Sequence, residues 1–508
     1  MESTYEYFAT MCSILPWKFE AREVAEMAST LQSDHEEMVL QALMLHFTNF
    51  SFDKAKDQAE KERDMSRGIG SSMWQSLLTC IAQLAIAEKL YMNLSFLTSK
   101  GFLRKESSVR ANFESLSIEF GELEKRNFES SSIRGSNTRC NNPKTNNGNN
   151  TGNETANPGN PGSPGSLGNP GSTGNPGNPV TDGLLEHICS HLVLFTRARL
   201  QMIAFYERMV GSSMDRLMNF EELLAHVTDI SVKNSRNFHH PLLTPLKTSF
   251  TYECDILMHL LRSQIEMQFW RFFPSLLHLH DAHTKLNTWH AVVQSKETKK
   301  YGFGSNFLKS SPLPPLYQWF WQAKAAFVSK YSLYFHETLA AQSSPADMKG
   351  LISRQGQACD YVSKIQSFQR RSDAASVCLV FEAAGVEDYQ GAGYHHPQES
   401  LSPPKGLDSY PAIFSYPPVR TKPLDRWPSI VMRVSDRSNE LTLMDRVVHF
   451  FDQQIGSTYF LCRVEPRITI VVIFDTKKSE KDNYIKDFMY DLAMQLRGNK
   501  VFQNLKPK

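Results

Sequence analysis

Trp74, Leu77, Ile81, Leu84, Ala87, Tyr91 and Leu94 recur at steps of three and four residues, which places one apolar stripe along a helix. Leu185, Ile188, Leu192, Phe195, Ala198, Met202, Phe205 and Met209 repeat the same step. Further helices are expected over 34–48, 53–66, 106–125, 214–234, 248–272, 274–292, 314–341 and 346–370, with Pro274 where one ends and the next begins.

The period changes near residue 376. Ser376–Glu382, Ser429–Val434, Thr458–Arg463 and Ile468–Phe474 are short β-branched and aromatic runs and are expected to be strands. The last is apolar on both faces, as in a central strand covered on both sides. A helix is expected between the second and third, with Leu441, Met444, Val448, Phe451 and Ile455 on one face. A final helix is expected to bury Ile485, Phe488, Leu492 and Leu496, with Ser479 as its N-cap. The expected fold is α+β and multidomain: a large all-helical domain, then a small α/β layer domain in the order β-β-α-β-β-α. The segment 383–427, rich in Pro, Tyr and Gly, is expected to run over the surface of that domain.

Composition adds one boundary. Residues 129–181 run through Asn, Ser, Gly and Pro, with Asn-Pro-Gly recurring at Asn157, Asn160, Asn169 and Asn175. So little apolar surface cannot offset the entropy of ordering, and a disordered insertion is expected. The expected divisions are an N-terminal helical region over 1–128, the insertion over 129–181, the helical domain continued over 182–372, and the α/β domain over 373–508.

Charge and cysteine content narrow the function. Lys plus Arg number 55 against 53 acidic residues, a net +2 that supplies no long-range attraction to nucleic acid or acidic membranes. Met1–Glu20 lacks the pattern of a signal peptide, and no apolar run reaches the length of a membrane span, so membrane association is expected only through partners. The 8 cysteines are scattered without a C-x-x-C pair, as buried apolar side chains of a cytosolic chain would be.

Chemistry-bearing groups are few. His278, His280, Asp281 and His283 lie on a helix, but His280 with His283 and His278 with Asp281 occupy different faces, and the i,i+4 histidine pair of a zinc helix is missing from the set. A histidine-dependent metalloenzyme built on 278–283 is the alternative function; hydrogen-bonded packing is the simpler role. His35-Glu36 and His336-Glu337 fail as H-E-x-x-H, because Val39 and Ala340 stand at the second histidine position. Two tandem pairs precede proline, His239-His240-Pro241 and Tyr394-His395-His396-Pro397. Proline holds the preceding residue extended, so one ring is expected buried and the other exposed, at an interaction surface and not in a joint metal grip. Tyr410, Tyr416 and Trp427 join Tyr394 as aromatic anchors of that surface, or else fold their own segment onto the sheet. Gly302/Gly304 and Gly391/Gly393 form no phosphate loop, which weakens a nucleotide-binding regulator as a third possibility. No catalytic residue, cofactor or metal is expected.

Longer strings carry a resemblance. Residues 50–64 (FSFDKAKDQAEKERD), 74–91, 238–250 (FHHPLLTPLKTSF), 279–289, 297–300, 334–339, 389–397, 404–412 and 447–482 resemble the KICSTOR complex subunit two family. The likeness spans nearly the whole chain from about residue 45, outside the insertion. It implies a non-catalytic subunit working with kaptin-like, FG-GAP-repeat and large seizure-threshold partners on the cytosolic face of the lysosome. It further implies recruitment of the GATOR GTPase-activating complex and restraint of TOR complex 1 under amino-acid or glucose shortage.

Overall fold

The computed structural model describes residues 21–67, 71–98, 108–136, 180–294, 313–344, 346–347, 360–386, 389, 402, 404–418, 426–444 and 446–506. The helices are α1 (Ala21–Thr48), α2 (Phe52–Met65), α3 (Ser72–Met92), α4 (Val109–Ser136), α5 (Val180–Ser212), α6 (Phe220–Lys233), α7 (Thr244–Gln268), α8 (Phe272–Gln294), α9 (Pro315–Tyr334), α10 (His336–Gln342) and α11 (Tyr361–Ser372). There follow β1 (Ser376–Phe381), β2 (Ala412–Tyr416), α12 (Trp427–Asp436), α13 (Ser438–Leu441), β3 (Val447–Asp452), β4 (Ser457–Glu465), β5 (Ile468–Phe474), α14 (Asn483–Leu496) and α15 (Asn499–Gln503).

The two stripes read from the sequence are buried throughout, from Trp74 to Leu94 and from Leu185 to Met209. Local chemistry starts the helices: Ser71 accepts the Trp74 N–H at α3, Asn219 that of Glu222 at α6, and Asp360 that of Ser363 at α11. Helix α4 continues to Ser136 and α5 begins at Val180, both reaching into the segment 129–181; 137–179 lies outside the described residues. Pro274 stands, as expected, where one helix gives way to the next: it sits in the first turn of α8, where its missing N–H costs nothing, and the break itself is at Trp270, whose φ is 60°.

The strands form a five-stranded, wholly antiparallel sheet in the order β2-β1-β5-β4-β3. One face packs Val377, Leu379, Phe381, Phe460, Cys462, Ile470 and Val472 into the core that the helices share. The opposite face packs Val380, Tyr459, Leu461, Val471 and Ile473 under Trp427, Ile430, Val431 and Val434 of α12. Strand β5 is buried along its whole length, as its apolar faces predict, and β4 is buried throughout as well, its Arg463 and Glu465 included.

The structure corrects three expectations. Residues 429–434 form helix α12 and not a strand: Trp427, Ile430, Val431 and Val434 follow helical spacing, and Pro428 opens the first turn. The stretch read as a helix face from Leu441 to Ile455 contains the edge strand β3. Its aromatic and β-branched run pairs with β4 through a turn in which Gly456 holds φ 70°. The order is therefore β-β-α-α-β-β-β-α-α, the second helix of each pair being short, with β2 drawn from the segment 383–427. The last helix is capped by Asp482, which accepts the Ile485 N–H, and not by Ser479.

The C-terminal elements return to the helices. Trp319 on α9 donates its indole N–H to the Val501 carbonyl at 2.9 Å, and Asn499 donates to the carbonyls of Ser213 and Asp215. Trp270 stacks on Phe381 of β1 with centroids 4.7 Å apart.

Candidate interaction surfaces and side-chain clusters

The tandem pair at the start of α7 is held as its proline predicts. His240 has ψ 137° and its Nδ1 accepts the Leu242 N–H at 3.2 Å, while exposed His239 bonds the Arg236 carbonyl at 2.7 Å through Nδ1. A carbonyl only accepts, so His239 Nδ1 carries the proton. Two more imidazoles join them from α5: His187 and His191 stand Nε2 to Nε2 at 3.0 Å, His187 lies 5.3 Å from the His240 ring, and His191 lies 5.2 Å from that of His239. Burial, then the neighbouring imidazoles, push His191 below the ordinary histidine value, and burial does the same for His240. The i,i+4 spacing of His187 and His191 was visible in the sequence, yet only the fold brings them to His239 and His240.

The other expected anchors fall differently. Trp427 is 2% exposed inside the second sheet core, and Tyr410 is partly buried against the same core. Both therefore fold their own segment onto the sheet. Tyr394, His395, His396 and Pro397 lie outside the described residues.

The four residues of 278–283 do not converge, in keeping with their reading as two different helix faces. His280 is exposed, and His283 turns to Asn287 at 2.9 Å and to Lys324 at 3.3 Å. His278 and Asp281 instead face His259 of α7, their ligand atoms within 4.8 Å of one another. The H-E pairs have packing roles. His35 Nε2 meets Glu62 at 2.8 Å, and the His336 ring stands edge-on to Phe414 at 5.2 Å.

Buried charge is concentrated at two places that sequence reading missed. Arg199 grips Glu88 with two bonds of 2.8 and 2.9 Å and reaches Glu253 at 2.6 Å; Tyr91 and Tyr206 donate to the same Glu253 oxygen at 2.5 and 2.8 Å. Burial raises the Glu88 carboxyl pKa against the pull of Arg199. Burial also opposes the guanidinium charge, but the two carboxylates hold the Arg199 pKa above its ordinary value. At the second, Lys330 bonds Glu465 at 2.7 Å and Gln264 at 3.0 Å, and Tyr334 donates to the other Glu465 oxygen at 2.7 Å. Both networks are enclosed by packed side chains, which fits a structural role.

At the surface, Phe269, Phe273, Leu276 and Leu277 are 45, 48, 39 and 44% exposed around the corner between α7 and α8. Twelve other large apolar side chains are also exposed, from Met38 to Tyr490, so this corner is one candidate contact surface among the described residues. Among the described residues no helix is long and apolar enough to cross a membrane.

This is an α+β chain, mostly helical with one antiparallel sheet, whose buried polar clusters hold its own elements together. Comparison with known proteins gives the family. The family model described as KICSTOR complex C12orf66 like matches residues 31–140 and 168–508. A KICSTOR subunit 2 from Xenopus laevis is 38% identical over 484 residues, 94% of this chain and 98% of its own. One from Danio rerio is 40% identical over 477 residues, 93% of this chain and 96% of its own. The chain belongs to the KICSTOR complex C12orf66 like family. The match begins nearer the N-terminus than the resemblance in sequence, and its gap at 141–167 falls within the Asn/Gly/Pro segment.

Proposed function

We propose that this chain is a non-catalytic scaffold subunit of a KICSTOR-like complex. The observation that carries the reading is the near-complete length over which it aligns with KICSTOR subunit 2 proteins. In this reading it works with kaptin-like, FG-GAP-repeat and large seizure-threshold subunits, and helps recruit the GATOR GTPase-activating complex to the cytosolic face of the lysosome. Its output is restraint of TOR complex 1 when amino acids or glucose fall. Membrane contact comes through those partners.

A scaffold draws its binding free energy from a few large anchors seated in a partner. Phe269 and Leu277 at the α7–α8 corner have the exposure for that work, and a second subunit of the complex is the occupant we assign to them. The His239–His240 loop is the other assigned contact. Cells lacking the chain are expected to keep TOR complex 1 active after amino-acid withdrawal. The intact chain is expected to restore the response, and a Phe269→Asp/Leu277→Asp form, folded but unable to dock, is not. An unchanged starvation response in cells lacking the chain overturns the proposal.

A further inference from the structure

The seam between α7 and α8 brings three metal-ligating atoms together. His259 Nδ1 lies 3.4 Å from His278 Nδ1 and 3.7 Å from Asp281 Oδ2, and the three atoms all fall within 4.8 Å of one another. Four ligands at about 2.0–2.1 Å from a tetrahedral ion stand about 3.3 Å apart, so the two shorter separations are close to the edges of such a site. A proton between the imidazoles would serve one pair of lone pairs at a separation longer than a strong N–H···N bond. A cation serves all three atoms together.

We propose that α7 and α8 bind a divalent transition-metal ion of the zinc class through His259 Nδ1, His278 Nδ1 and Asp281 Oδ2. Two imidazoles and one carboxylate suit zinc, cobalt or nickel, and not calcium or magnesium, which take oxygen ligands. Asp281 is 48% exposed, so the fourth position opens on solvent and its side chain can rotate to close the site. The charges around the imidazoles are mixed: Arg262 opposes a cation, while Asp255 and Glu266 favour one.

The role is structural, since the ion ties two helices. Lys285 of α8 pairs with Asp255 of α7 at 2.7 Å, one turn along the same seam. Ion pair and metal would together fix the hairpin that carries Phe269 and Leu277. The ligand set differs from the 278–283 grouping considered in the sequence, which lacked His259 and was cast as catalytic. It departs from the expectation of no metal.

The test is titration of the full-length chain with Co2+, whose visible absorption distinguishes a four-coordinate protein site from the aqueous ion. The expected result is saturable absorption, displaced by Zn2+. Asp281→Asn, at an exposed position that leaves folding intact, and His259→Asn are each expected to weaken binding by at least ~10-fold, the scale of changes around metal ligands. His280→Asn and His283→Asn are expected to bind as the unaltered chain does. His187→Gln guards against the other histidine group and is also expected to bind normally. An aqueous spectrum throughout, or absorption retained in both Asp281→Asn and His259→Asn, overturns the proposal.

Discussion

Lys330 of α9 and Glu465 of β4 meet at 2.7 Å with each side chain only 2% exposed, so a charge pair closes the seam between the helices and the sheet. Desolvating both charges is costly, and the bond Lys330 donates to Gln264 Oε1 and the one Glu465 accepts from Tyr334 are what make the pair tolerable there. Lys330→Met leaves Glu465 buried without its cation and is expected to cost about 3–5 kcal/mol. Lys330→Met with Glu465→Gln is expected to cost clearly less than the single change. Urea denaturation checks both; a loss under about 1 kcal/mol for Lys330→Met, the scale of an exposed pair, contradicts the role.

Arg199 is the counterpart inside the helices. Its planar fork serves Glu88 by two bonds while a third reaches Glu253, a geometry that lysine lacks. Arg199→Lys keeps the charge and loses the fork, and it is expected to destabilise by about 2–3 kcal/mol; Arg199→Met is expected to approach about 5 kcal/mol. Thermal melts of the two variants, ranked in that order, check this.

The histidine group gives a pH dependence with a definite sign. His191 and His240 titrate below the ordinary value in the folded chain, burial first and neighbouring imidazoles after. In the unfolded chain they take up protons near pH ~6.5, which the folded chain refuses. Their contribution is therefore complete above ~6.5 and lost as pH falls through the lower folded values. Melting temperature followed from about pH 7.5 to about pH 5 is expected to fall. His191→Gln is expected to flatten that fall, and a slope equal to that of the unaltered chain would contradict it.

Removal of residues 141–167 is expected to leave stability unchanged. The family model passes over this stretch, and its composition offers little to bury. Helices α4 and α5 stay connected through 137–140 and 168–179, and loop-closure entropy varies only slowly with length. A melting temperature lowered by several degrees would count against this.

What the sequence made legible follows from where periodicity is unambiguous. The stripes of α3 and α5 are long, and every predicted position in them is buried. Short segments misled: α12 has the β-branched content of a strand at the spacing of a helix, and β3 has a chance helical spacing in a run that pairs as a strand. The Arg199 and Lys330 networks join residues 111, 54 and 135 positions apart, and an isolated charged residue gives no sign that it is internal. Likewise, His278 and Asp281 were singled out, but His259 became their neighbour only when α7 and α8 folded back on each other.

A scaffold is defined by what it binds. Affinity purification of the tagged full-length protein from its own cells, with mass spectrometry of what co-purifies, measures this directly. Kaptin-like, FG-GAP-repeat and seizure-threshold-like partners are expected in stoichiometric amounts from the unaltered chain, and in reduced amounts from Phe269→Asp/Leu277→Asp. Recovery of the unaltered chain alone, as a monomer free of these subunits, would contradict the scaffold assignment.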